Sequence, residues 1–160
     1  MSIDRRQALG LLAAGAAAPA AAATRDRQMS NPNVEFARRY VEAIAAFETD
    51  GLARFFAPGF VQVELPNLMT PKGQSRDAAG CIEGSKKGVA ILSSQRFDIQ
   101  NVVAADDWVS LETKWVGVLK VGFGNIEPGT EMRADIAMFL RFEDGRIAYQ
   151  RNYDCYEPLA

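Results

Sequence analysis

A chain with no histidine has few ways to move a proton, and none of the 160 residues here is histidine. A Ser-His-Asp or Cys-His apparatus is therefore excluded, and so is a zinc site built on imidazole. Two cysteines, Cys81 and Cys155, are too few for a zinc held by four thiolates. Proton transfer is left to carboxylates, tyrosine, lysine or water. Asp154 is the best-placed carboxylate. In an extended strand alternate side chains share a face, so Gln150, Asn152 and Asp154 form one polar row while Arg151, Tyr153 and Cys155 form the other. A carboxylate set among apolar side chains has its pKa raised by desolvation, toward that of a base working near neutral pH. The ordinary alternative is a carboxylate hydrogen-bonded at a pocket rim. Tyr40 falls on an apolar stripe with Phe36, Ile44 and Phe47, where a phenol could polarise a carbonyl or simply be a core tyrosine.

Two further polar rows face away from apolar ones. Gln62 and Glu64 alternate with Val61, Val63 and Leu65, which favours an outward pair, with a bulge before Pro66 as the route to the inward orientation. Arg133 and Asp135 alternate with Met132, Ala134 and Ile136 and read as an ion pair across strands or at a dimer interface. Trp115 and Met138 suit a pocket wall better than chemistry.

Several elements must position these groups. Asn31-Pro32-Asn33 supplies an N-cap and a proline for the first turn of a helix carrying Phe36 and Tyr40. Asp50-Gly51 opens a second short helix with Leu52, Phe55 and Phe56, closed by Ala57-Pro58-Gly59. Phe60 to Leu65 reads as a strand stopped by Pro66. A third helix is predicted from Ser75 to about Ser93, although Gly80, Gly84 and Gly88 each cost about 1 kcal/mol against alanine. Strands follow over Phe97–Ala104, Trp108–Val121, Thr130–Phe142 and Ile147–Tyr156. The last two are joined by a tight turn at Glu143-Asp144-Gly145-Arg146. Helices first and antiparallel strands afterwards give an α+β single domain. In it three N-terminal helices cover a cone-shaped, curved, mixed or antiparallel sheet whose open end is a pocket.

The first residues carry a different message. Arg5-Arg6 precedes a short Leu/Ala/Gly stretch ending in Ala21-Ala22-Ala23, the layout of a bacterial signal peptide over residues 1–23. The pair resembles a twin-arginine export signal, departing from the usual pattern at Ala8 and Gly10. Residues 24–33 then read as a flexible lead and 34–158 as the domain, periplasmic or secreted. In that oxidising setting two free thiols are expected, with a Cys81–Cys155 disulfide as the alternative. The alanine-rich stretch is too short for stable membrane insertion. A net charge of −2 gives no basic face for nucleic acid.

The element order, together with Arg39-Tyr40-Val41-Glu42-Ala43, Asp50 to Pro58 and Asp144-Gly145-Arg146-Ile147 followed by Asn152-Tyr153-Asp154, resembles SnoaL-like domains of the nuclear transport factor 2-like superfamily. That superfamily includes ketosteroid isomerase, limonene epoxide hydrolase, polyketide cyclases, scytalone dehydratase-like enzymes and non-catalytic binders, so fold alone does not set activity. The resemblance implies that Gln150, Asn152 and Asp154 face the pocket with Trp115, Met138, Leu65 and Phe56. It also implies a homodimer paired through the convex sheet face. Tyr40 resembles the isomerase's enolate-binding tyrosine, but the isomerase's two acids fall at Leu65 and Met138. The epoxide hydrolase triad falls at Thr113, Trp115 and Asn152. Asp154 resembles the cyclase aspartate, whose partner histidine falls at Leu140. The implied function is binding of a small apolar oxygenated molecule. Any catalysis would be cofactor-free and metal-free, with Asp154 as base and Tyr40 or Asn152 on the oxyanion, of isomerase, dehydratase or cyclase type. A non-catalytic binding or accessory protein is the alternative.

Overall fold

The computed structural model describes residues 31–122 and 125–158. The signal segment and most of the lead lie outside them. Helix α1 spans Pro32–Ala45, and the Asn31 side chain caps it by accepting from the Asn33 N–H at 2.9 Å. Residues 32 and 33, assigned by sequence to the lead, therefore belong to the helix. A 3-10 helix follows over Asp50–Phe55 and leads straight into strand β1, Phe56–Glu64. Next come β2 (Gln74–Asp77), helix α2 (Ala78–Ile91), β3 (Leu92–Ala105), β4 (Trp108–Leu119), β5 (Glu131–Glu143) and β6 (Arg146–Tyr156).

All the strands form one six-stranded sheet in the order β2-β1-β6-β5-β4-β3. β1 runs parallel to β6 and every other pair is antiparallel, so the sheet is mixed. The expected α+β architecture is present, with two differences. The sequence reading has no β2, because Gln74–Asp77 is short and polar and its partner β1 lies ten or more residues upstream. As a result α2 starts at Ala78 rather than Ser75, capped by Asp77 accepting from the Gly80 N–H at 2.8 Å.

The second difference bears on the site. β1 begins at Phe56 rather than Phe60, and its pairing with β6 shifts between Phe56 and Val61. Gly59 sits in that irregularity with φ +75°, a conformation that suits glycine. Beyond it Gln62 pairs with Gln150 and Glu64 with Asn152. Partners in register share a sheet face, so Gln62 and Glu64 point inward and Val61 is 38% exposed. The outward orientation expected for Gln62 and Glu64 is thus corrected.

The core lies between the helices and the concave face. On β5 the buried side chains are Met132, Ala134, Ile136, Met138, Leu140 and Phe142, the alternation expected from sequence. From β4 they meet Val109, Leu111, Thr113 and Trp115. α1 closes this layer with Ala37, Tyr40 and Val41. Phe36 stands edge-on to both Phe55 and Phe142, at ring distances of 5.2 and 5.9 Å.

Candidate active site

A cavity of about 320 Å³ opens between the concave face, α1 and α2. One wall is apolar, with Ile44, Phe47, Leu52, Phe97, Trp115, Ile136 and Met138. The polar wall comes from the adjacent strands β1 and β6, with Arg76 from β2, and it adjoins the apolar one where Asn152 pairs with Met138 and Asp154 with Ile136. An apolar cup with a few convergent polar groups is the usual form of a small-molecule site.

The polar groups are ordered from the buried end outward. Tyr40 Oη donates to Gln150 Oε1 at 2.7 Å, and Gln150 Nε2 donates to Asn152 Oδ1 at 2.8 Å. Burial pushes the Tyr40 phenol far above its ordinary value, so it stays a neutral donor. Its one proton is held by Gln150. The direction of this relay leaves the Asn152 amide N–H groups pointing onward, toward Asp154.

Asp154 differs from every other carboxylate in the site. Its Oδ1 is buried without a hydrogen-bond partner. Burial, reinforced by the charge of Glu64, raises its pKa from 3.8 to about 6, against the pull of the Asn152 amide and the Arg76 guanidinium. The nearby Tyr156 phenol is pushed up by burial and by the Asp154 charge.

Glu64 is fully engaged. Its Oε1 accepts from Asn67 Nδ2 at 2.8 Å and its Oε2 from Gln74 Nε2 at 2.6 Å, with Arg76 Nη2 at 3.5 Å. On the helix side the Cys81 thiol donates to Gln62 Oε1 at 3.1 Å, and burial raises its pKa to about 11. At the apolar side Trp115 Nε1 donates to Gln95 Oε1 at 3.1 Å, and Gln95 Nε2 donates to the Ile44 carbonyl at 2.6 Å. Among the described residues no group of three or more Cys, Asp or Glu side chains is placed to hold a metal ion.

The structure brings together Asp154, Tyr40, Asn152, Gln150, Trp115 and Met138 around this cavity. It does not bring Leu65 or Phe56 to it. Because Glu64 faces inward, the next residue cannot, and Leu65 lies just past the strand with its N–H donated to the Asn152 carbonyl at 3.2 Å. Phe56 packs behind the wall, stacked on Phe60 at 4.0 Å between ring centres. Cys81 is buried beside the cavity and Cys155 is exposed on the outer face, so both thiols are free. Asp135 pairs with Lys114 across strands at 3.0 Å, while Arg133 pairs with Glu131, all on the outer face. The sequence reading missed Glu64, Gln62 and Arg76 as members of the site. The signal that could have found the first two is the closed polar set Gln62, Glu64, Gln150 and Asn152 on neighbouring strands.

The family model for the SnoaL-like domain matches residues 37–150, which span α1 to the Gln150 of the relay. The chain belongs to the SnoaL-like domain family. Solved structures share the fold of this SnoaL-like domain at low identity. IdmH from Streptomyces antibioticus, a candidate polyketide cyclase, is 20% identical with a TM-score of 0.66, covering 76% of this chain and 91% of its own. A candidate polyketide cyclase from Acidithiobacillus ferrooxidans is 21% identical with a TM-score of 0.65, covering 78% and 89%. A protein of ketosteroid isomerase-like fold from Catenulispora acidiphila, solved with trimethylamine, is 18% identical with a TM-score of 0.62, covering 74% and 84%. No curated protein sequence matches the chain. Among the described residues no helix of the SnoaL-like domain is long and apolar enough to cross a membrane.

Proposed function

We propose that this SnoaL-like domain is a cofactor-independent enzyme that removes a proton from carbon next to a carbonyl, with Asp154 as the general base. One observation carries the reading: Asp154 lines the cavity and carries a buried oxygen with no partner, on a carboxylate whose pKa burial raises to about 6. A carboxylate kept only to hold the fold together would have both oxygens hydrogen-bonded or ion-paired, whereas Asp154 has the Asn152 amide alone beside it. The substrate is a small, mostly apolar, oxygenated molecule, matched to the Phe97, Trp115 and Met138 wall. Isomerisation, dehydration and aldol-type cyclisation all begin with this proton transfer. The candidate cyclases among the structural relatives are in keeping with the last.

Hydrogen exchange into a simple carbon acid tests the proposal without knowledge of the natural substrate. β-Tetralone incubated with the protein in deuterium oxide should lose its α-hydrogens faster than in buffer, and Asp154→Asn should remove the acceleration. Exchange by the wild type no faster than in buffer would leave the non-catalytic binding reading, and an acceleration kept in Asp154→Asn would rule Asp154 out as the base.

Two further parts of the proposal concern place and assembly. The Arg5-Arg6 segment supports export to the periplasm, and Arg5→Lys/Arg6→Lys should retain the protein in the cytoplasm. The outer face of the sheet carries an apolar hollow of about 380 Å³ with Val103, Phe139 and Tyr153 at 56%, 38% and 40% exposure, which supports a homodimer through that face.

A further inference from the structure

The three glycines of α2 weaken that helix, and two of them have a spatial reason. A Cβ on Gly84 would stand 2.7 Å from Arg76 Nη1 and 3.2 Å from its Cζ, and one on Gly80 would stand 3.2 Å from Arg76 Cβ. At a spacing of four residues the two glycines lie on one helix face. They leave a notch along which the Arg76 side chain runs, with its guanidinium at the cavity wall.

The guanidinium has donors to offer there. Its ion pair with Glu64 is 3.5 Å long, because Asn67 and Gln74 hold the Glu64 oxygens at closer range. Among the described residues no hydrogen bond from Arg76 accompanies that ion pair. Arginine carries five N–H groups, so a cation with unused donors and Asp154, a carboxylate whose Oδ1 has no donor, line the same cavity. Arg76 is the one lysine or arginine among the residues lining it.

We infer that Arg76 is the oxyanion-binding residue of this site, and that the substrate is a carbonyl compound docked with its oxygen on the guanidinium and its α-carbon on Asp154. The inference rests on the proposed role of Asp154 and adds where the charge goes. Asp154 takes the proton. The C–H electron pair becomes the enolate double bond, and the carbonyl π pair moves onto oxygen. One negative charge thus leaves Asp154 and arrives on the substrate, with the charge of the cavity unchanged. Glu64 and Arg76 balance each other before and after. The migrating charge is met by a fixed cation rather than by Tyr40, whose proton is held by Gln150.

Binding of an oxyanion to a protein unable to accept the proton tests this separately from catalysis. In the Asp154→Asn background, para-nitrophenolate serves as the enolate mimic and para-nitrotoluene as its uncharged counterpart, both followed by quenching of tryptophan emission. The phenolate should bind at least about tenfold more tightly, the scale of a charged hydrogen bond. Adding Arg76→Gln should abolish that preference. Adding Gly84→Ala should reduce it as well, by displacing the guanidinium with a substitution that favours the helix and so keeps the fold. A preference that survives Arg76→Gln, or none in Asp154→Asn itself, would overturn the assignment of Arg76. Either result leaves the exchange test of Asp154 untouched, and a failed exchange test leaves this binding result readable.

Discussion

Glu64 and Asp154 put two carboxylates on adjacent strands of one cavity, and the first, held by Asn67, Gln74 and Arg76, raises the proton affinity of the second. The asymmetry separates their roles. A carboxylate with all its acceptors engaged fixes the field, and one with a bare oxygen is left to exchange a proton.

Glu64→Gln should therefore lower the pKa of Asp154 below about 6, although not to 3.8, because desolvation is the larger cause and remains. Arg76→Gln should raise it. Difference infrared titration of the Asp154 carboxylate, identified by its loss in Asp154→Asn, would read both shifts. Movement of the two variants in the same direction would contradict this electrostatic account.

The raised pKa also makes Asp154 a liability to stability. The folded state binds this proton more tightly than the unfolded chain, so the contribution is favourable below about pH 4 and is lost as pH rises through about 6. Asp154→Asn lacks that loss. Denaturant unfolding should show the variant more stable than the wild type by about 3 kcal/mol above pH 7, with the gap closing near pH 4. A gap independent of pH would mean that Asp154 is not desolvated.

Tyr40→Phe removes the proton held by Gln150, a side chain 1% exposed, and leaves Oε1 unpaired. Unfolding stability should fall by about 1–3 kcal/mol. Exchange of β-tetralone should persist, because Tyr40 orients the relay rather than touching the oxyanion. Loss of exchange with the fold intact would move Tyr40 into the chemistry.

Phe139 stands edge-on to Tyr153 at 5.7 Å on the outer face, away from the cavity. Phe139→Asp should convert a dimer into a monomer in sedimentation equilibrium without altering the quenching of tryptophan emission by para-nitrotoluene. A wild-type protein that sediments as a monomer would rule out pairing through this face.

How much of this was legible in the sequence depended on whether a pattern was local. Asn31-Pro32 announced α1, and the alternation from Met132 to Phe142 announced β5, because caps and period-two burial are written within a few residues. Period two also placed Gln150, Asn152 and Asp154 on one face. The same rule failed for Gln62 and Glu64, since it assumes that the buried face is apolar and here the inner face of β1 is the polar wall of the site. The shift at Gly59 and the parallel pairing with β6 decide that orientation, and both depend on a strand more than eighty residues away. Arg76 was hidden for a similar reason. Its place follows from β2 pairing with β1 and from a notch in α2, and as sequence the notch looks only like a poor helix.

As the proposed base, Asp154 should set how the protein's activity depends on pH. The pH dependence of α-hydrogen exchange from β-tetralone tests it most directly. The rate should rise with pH through a single ionisation at about 6 and then level, with both the rise and the acceleration absent in Asp154→Asn. An acceleration that survives in Asp154→Asn with the same pH dependence would contradict it.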